Sequence, residues 1–115
     1  MSKKVYCIAQ FLPKEGKDAE LFKVLQALEP NTLREDGCLS YRVTRQIHSP
    51  FADGHSYPIV FNEVWADMAH FEAHCQRQEI VEFFETYCLA DTGLAEKWNV
   101  CVYSDEPEKY DSPKV

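Results

Sequence analysis

Between Ile59 and His74 the hydrophobic period of the chain changes once. Ile59, Phe61, Glu63 and Trp65 alternate with Val60, Asn62 and Val64, the two-residue repeat of a strand. From Met68 onward the apolar positions recur as Met68, Phe71 and Cys75, the spacing of a helix, with Asp67 just ahead as an N-cap. The strand therefore hands over directly to a helix that carries His70 and His74 on adjoining turns. A strand carboxylate, an indole and an imidazole are predicted to meet in one small volume, the best candidate site in the chain.

The same reading extends along the sequence. Val5 to Leu12 is a strand with apolar residues on both faces, which predicts that both faces are covered. From Lys17 a helix follows with Leu21, Phe22, Leu25 and Leu28 turned inward; Pro30 interrupts it, and Asn31 to Glu35 adds one more turn. Gly37 ends that turn at a positive φ. Leu39 to Gln46 is the second strand, with Leu39, Tyr41, Val43 and Arg45 on one face. The long loop from His48 to Tyr57 is a candidate lid or rim for the pocket. After a break at Gln76 to Gln78, a further helix buries Ile80, Val81, Phe84, Tyr87 and Cys88. Lys97 to Tyr103 forms the last strand, with Trp98, Val100 and Val102 facing one way. Residues 1–103 are expected to form the domain, and 104–115, with Pro107 and Pro113, a disordered tail or an arm across a partner.

Strand, helix, strand, strand, helix pair, strand is the order of a ferredoxin-like α+β fold: a four-stranded antiparallel sheet with its helices on one face. The other face needs cover. The simplest cover is the sheet of a second copy, giving a homodimer that closes into an α+β barrel.

Composition narrows the partners. With 12 basic residues against 19 acidic ones, the net charge of −7 argues against nucleic acid and against an anionic membrane surface. The apolar run Val5 to Leu12 is too short for a signal core or a membrane span, so the chain is expected to be cytoplasmic. The five cysteines are odd in number and lack C-x-x-C spacing, which argues against a disulfide scaffold or a structural zinc. Cys75 follows His74 directly, and neighbouring helical residues point about 100° apart, so the two do not form a thiol–imidazole pair.

Three segments carry a resemblance. Gly37-Cys38-Leu39-Ser40-Tyr41, then Glu63-Val64-Trp65-Ala66-Asp67, then Phe71-Glu72-Ala73-His74 resemble, in order and spacing, the signatures of antibiotic biosynthesis monooxygenase domains of the small quinol monooxygenase type. The resemblance spans roughly Val5 to Val102. It implies a dimeric α+β barrel, a pocket between sheet and helices, and oxygenation of a small phenol or quinol by O2 without metal or flavin.

The residue types make that chemistry intelligible. His74 titrates near neutrality and is the candidate base. Trp65 is a candidate for stacking on the substrate ring and donating its indole N–H, and Asn62 for bonding a substrate oxygen. Alternation nevertheless puts Asn62 on the face of Val60 and Val64, away from Trp65. Phe11, Phe22, Tyr41, Phe61, Glu63, Phe71 and Phe84 are the candidate substrate-contacting walls, and no cofactor is called for. Many relatives carry a second histidine five residues after the first; here that position is Glu79. This departure keeps other readings open: a non-catalytic dimeric module that binds a small molecule or a protein partner, an isomerase acting on a small carbonyl compound, or a metal or haem site on His70 and His74.

Overall fold

In the computed structural model, which describes residues 3–106, four strands form one antiparallel sheet in the order β2-β3-β1-β4. The strands are β1 (Val5–Pro13), β2 (Cys38–Arg45), β3 (Ile59–Trp65) and β4 (Ala95–Tyr103). Residues paired across a ladder share a face. Cys7, Ala9 and Phe11 of β1 therefore lie beside Glu63, Phe61 and Ile59 of β3, and beside Val102, Val100 and Trp98 of β4. This inner face holds the core, under helices α1 (Asp18–Ala27), α2 (Glu29–Leu33), α3 (Met68–Cys75) and α4 (Gln78–Phe83). The architecture is the ferredoxin-like α+β arrangement that the element order predicts. The outer face mixes half-buried Ile8, Leu12, Val60 and Val64 with exposed Arg42, Thr44 and Asn62.

Three local departures have physical causes. The first helix stops at Ala27, and Pro30 sits in the first turn of α2, where its missing N–H is no loss; it opens a helix instead of kinking one. The pairing of β2 with β3 slips between Cys38 and Ser40, and this bulge leaves Leu39 53% exposed although Tyr41 and Val43 point inward as expected. The last helix does not stay α-helical: α4 runs into a π-helical segment, Phe84–Leu89, in which the Ala90 N–H reaches the Glu85 carbonyl. On α4 the buried pair is Ile80 and Phe83, and Val81 is turned outward. Beyond it the wider turn buries Cys88 and leaves Phe84 and Tyr87 half-buried.

The strand-to-helix junction is built as its sequence requires. The Asp67 carboxylate accepts the His70 backbone N–H at 2.9 Å and also lies 2.7 Å from His70 Nδ1, which caps α3 and fixes its first turn. Gly37, at φ +79°, passes so close that a Cβ there would lie 2.3 Å from His70 Cγ. Both the backbone angle and the close approach call for glycine. The 48–57 loop is tied back by Gln46, whose side-chain amide donates to the Gly54 carbonyl at 2.6 Å, and Phe51 at its tip is fully exposed. The part of the 104–115 tail that matters for an arm, residues 107–115, lies outside the described residues.

Candidate functional site

Between the inner sheet face and the helices lies a narrow cavity of about 40 Å³. Its floor is the centre of the sheet: Cys7, Ala9 and Phe11, flanked by Tyr41, Phe61 and Glu63. Its roof is Phe71, His74 and Cys75 of α3, with Ile80, Phe83 and Phe84 behind and Leu25 and Leu28 at the side. As it stands this is room for about three waters. Phe71 and Phe84 are the half-buried aromatics on its wall.

His74 is buried, and its Nδ1 lies 2.9 Å from Glu35 Oε2. A carboxylate only accepts, so Nδ1 carries the hydrogen and the lone pair is left on Nε2. Arg77 donates to the same Glu35 oxygen, so the turn before β2 and the end of α3 are locked around the imidazole. Burial holds the His74 pKa below its ordinary 6.5, outweighing the Glu35 carboxylate, which favours the charged ring. Near neutral pH the ring is therefore uncharged and able to accept a proton.

Glu63 is the second titratable group on the cavity wall. It sits on β3 between Cys7 of β1 and Tyr41 of β2, its partners across the two ladders. The Trp65 indole N–H donates to its Oε1 at 2.9 Å. Desolvation pushes its pKa from 4.5 up to about 7, against the lowering effect of the Trp65 and Cys7 hydrogen bonds. The Trp65 ring in turn lies 4.7 Å, centroid to centroid, from the His74 ring. Carboxylate, indole and imidazole thus form one contiguous cluster, with Tyr41 edge-on to His74 at 5.3 Å.

Of the residues expected at the site, Phe11, Tyr41, Phe61, Glu63, Phe71, His74 and Phe84 line the cavity. Trp65 does not. It is wholly buried, its N–H is taken by Glu63, and it stands behind the cavity wall. Asn62 is exposed on the outer face and donates to Thr44 Oγ1 at 3.0 Å; strand alternation carries it away from the cavity. Phe22 is engaged elsewhere, under the Arg45 guanidinium at 4.3 Å. No residue of the 48–57 loop reaches the cavity, so it is neither lid nor rim. Glu79, at the position of the second histidine, accepts from Asn31 at 3.0 Å outside the cavity. Glu35 is the residue the sequence hides: it lies 39 positions from His74, with no periodicity linking the two. Among the described residues, no group of three His, Cys, Asp or Glu side chains is placed to hold a metal ion, and no helix is long and apolar enough to cross a membrane.

A four-stranded antiparallel sheet roofed by helices places the chain in the ferredoxin-like α+β class. The chain belongs to the antibiotic biosynthesis monooxygenase family, whose profile matches residues 4–86. Among solved structures it is similar to protein SO0527 from Shewanella oneidensis, at 31% identity and TM-score 0.73 over 90% of this chain and 91% of that one. It also resembles Rv0793 from Mycobacterium tuberculosis, at 23% identity and TM-score 0.71 over 93% and 99% of the two chains. A third similar structure is a dabb family protein with a ferredoxin-like fold from Mesorhizobium loti, at 20% identity and TM-score 0.65 over 88% and 95%. No curated protein matches the chain.

Proposed function

We propose that the protein is a monooxygenase that oxidises a small phenol or hydroquinone with O2, using the electrons of the deprotonated substrate itself in place of a bound cofactor. The observation that supports this most is the neutral, buried His74, whose Nδ1 is held by Glu35 while Nε2 is left as a base beside an aromatic-walled cavity. Removing the phenolic proton raises the ring's electron density enough for transfer to O2, and apolar walls keep water from the reactive oxygen species. In this reading Tyr41, Phe61, Phe71 and Phe84 hold the ring, and Trp65 acts through Glu63. The half-buried apolar residues of the outer face, Ile8, Leu12, Val60 and Val64, support a homodimer joined sheet to sheet.

The test is O2 uptake with benzohydroquinone and naphthohydroquinone above the uncatalysed blank. Catalysed uptake that His74→Ala abolishes supports the reading, and no uptake with either compound refutes it. The narrowness of the cavity favours a second reading, a non-catalytic module that binds a small molecule. Calorimetric binding of a phenol without any O2 consumption would select it.

A further inference from the structure

We propose that Glu63 is a second catalytic proton carrier, working across the cavity from His74. This deepens the monooxygenase reading above and rests on it. Two side chains that exchange protons border one cavity, one on the sheet and one on the roof, linked through the Trp65 ring. The other titratable groups facing Glu63 are Cys7 on β1, Cys38 and Tyr41 on β2, Cys75 at the end of α3, and Glu35 behind His74. Burial pushes the thiols of Cys38 and Cys75 up to about 11 and those of Cys7 and the Tyr41 hydroxyl higher still, so all four stay protonated near neutrality. Glu35 is occupied by His74 and Arg77. On the cavity wall that leaves Glu63 and His74 to move protons.

Oxygenation needs two such groups. His74 takes the hydroquinone O–H proton, the ring gives two electrons to O2, and a C–O bond forms to a peroxide. Glu63 delivers a proton to the distal peroxide oxygen and then takes the proton of the ring C–H at the oxygenated carbon. As that C–H electron pair becomes the new C=O bond, the O–O bond breaks. The departing hydroxide takes the proton from His74 and leaves as water. Both residues end as they began, and hydroquinone plus O2 has become hydroxyquinone plus water. Without the C–H step, the hydroperoxide can only expel hydrogen peroxide, giving the unsubstituted quinone.

Glu63→Gln tests this directly, because a glutamine carbonyl still accepts the Trp65 N–H while the side chain can no longer shuttle a proton. The readout is product partition with benzohydroquinone under ¹⁸O2: labelled hydroxyquinone against hydrogen peroxide plus benzoquinone. A ratio has the advantage that loss of folded protein lowers both products alike. The expected result is a shift toward peroxide of about 100-fold, the low end of what a positioned acid or base contributes. An unchanged ratio in a variant that still consumes O2 overturns the role of Glu63 and leaves the monooxygenase reading standing. If the wild-type protein consumes no O2 with any hydroquinone, both fall together.

Discussion

A carboxylate held on the central strand of an aromatic core has a stability cost that pH can switch. The pKa of Glu63 is raised from 4.5 to about 7, so the folded state holds the proton more tightly than the unfolded chain. The associated stability is therefore fully present below 4.5, is lost as pH rises toward 7, and is flat beyond. At about 1.4 kcal/mol per unit, ionising Glu63 in the fold costs about 3 kcal/mol. Glutamine has the same shape, keeps the acceptor for the Trp65 indole, and never ionises. Glu63→Gln is expected to exceed the wild type by about 3 kcal/mol at pH 8.5 and by less than about 1 kcal/mol at pH 5. Urea denaturation at half-unit pH steps measures the gap, with the slope m checked for constancy. A gap that does not change with pH, or a wild type that is the more stable protein at pH 8.5, would refute the desolvation argument and with it the position of Glu63 in a dry wall.

Four further outcomes follow from the same geometry. If His74 must be neutral and Glu63 protonated, kcat/KM for a hydroquinone rises with pH through a value below 6.5 and falls again near 7, a narrow bell; a plateau extending past pH 9 contradicts it. Glu35→Gln removes the main group that raises the His74 pKa, so the acid limb of that bell should move to lower pH while the rate drops about 10-fold from the loosened imidazole; an unmoved limb would mean that Glu35 does not act through His74. Ile8→Asp on the outer face places an unpaired charge in the proposed dimer contact and should weaken association by more than about 100-fold, read by sedimentation velocity. Gly37→Ala combines a left-handed φ of +79° with a Cβ against the His70 ring and should cost at least about 2 kcal/mol; a loss below about 0.5 kcal/mol would show that the turn relaxes freely.

Periodicity made most of the architecture legible, because alternation and helical spacing report which face of each element is dry. The strand at Ile59–Trp65 and its dry face follow from it, and residue type adds the Asp67 cap and the positive φ of Gly37. It failed where spacing is interrupted. Leu39 sits at a bulge, and the helix after Gln78 changes its rise at Phe84, so a template of fixed period assigns Val81 to the core in place of Phe83. At the site, alternation already separated Asn62 from the indole, and the structure puts it on the outer face. What no pattern conveys is a contact made by the tertiary fold alone. Glu35 meets His74 because a turn and a helix end happen to close on each other, and Phe22 is drawn from the cavity by Arg45, whose charge is also bonded to Asp18 at 2.7 Å.

The π-helical stretch at Phe84–Leu89 is in effect one residue more than a regular helix would use. Excising a single residue such as Glu85 should let the segment wind as an ordinary α-helix, with better local hydrogen bonding. Phe84 and Cys88 would then rotate by about 100° relative to each other's present setting. Phe84 lies ahead of the cut and would keep its place in the chamber wall, whereas Cys88 would turn out of the core, so the wider turn serves the burial of Cys88 behind the chamber and not the chamber's size.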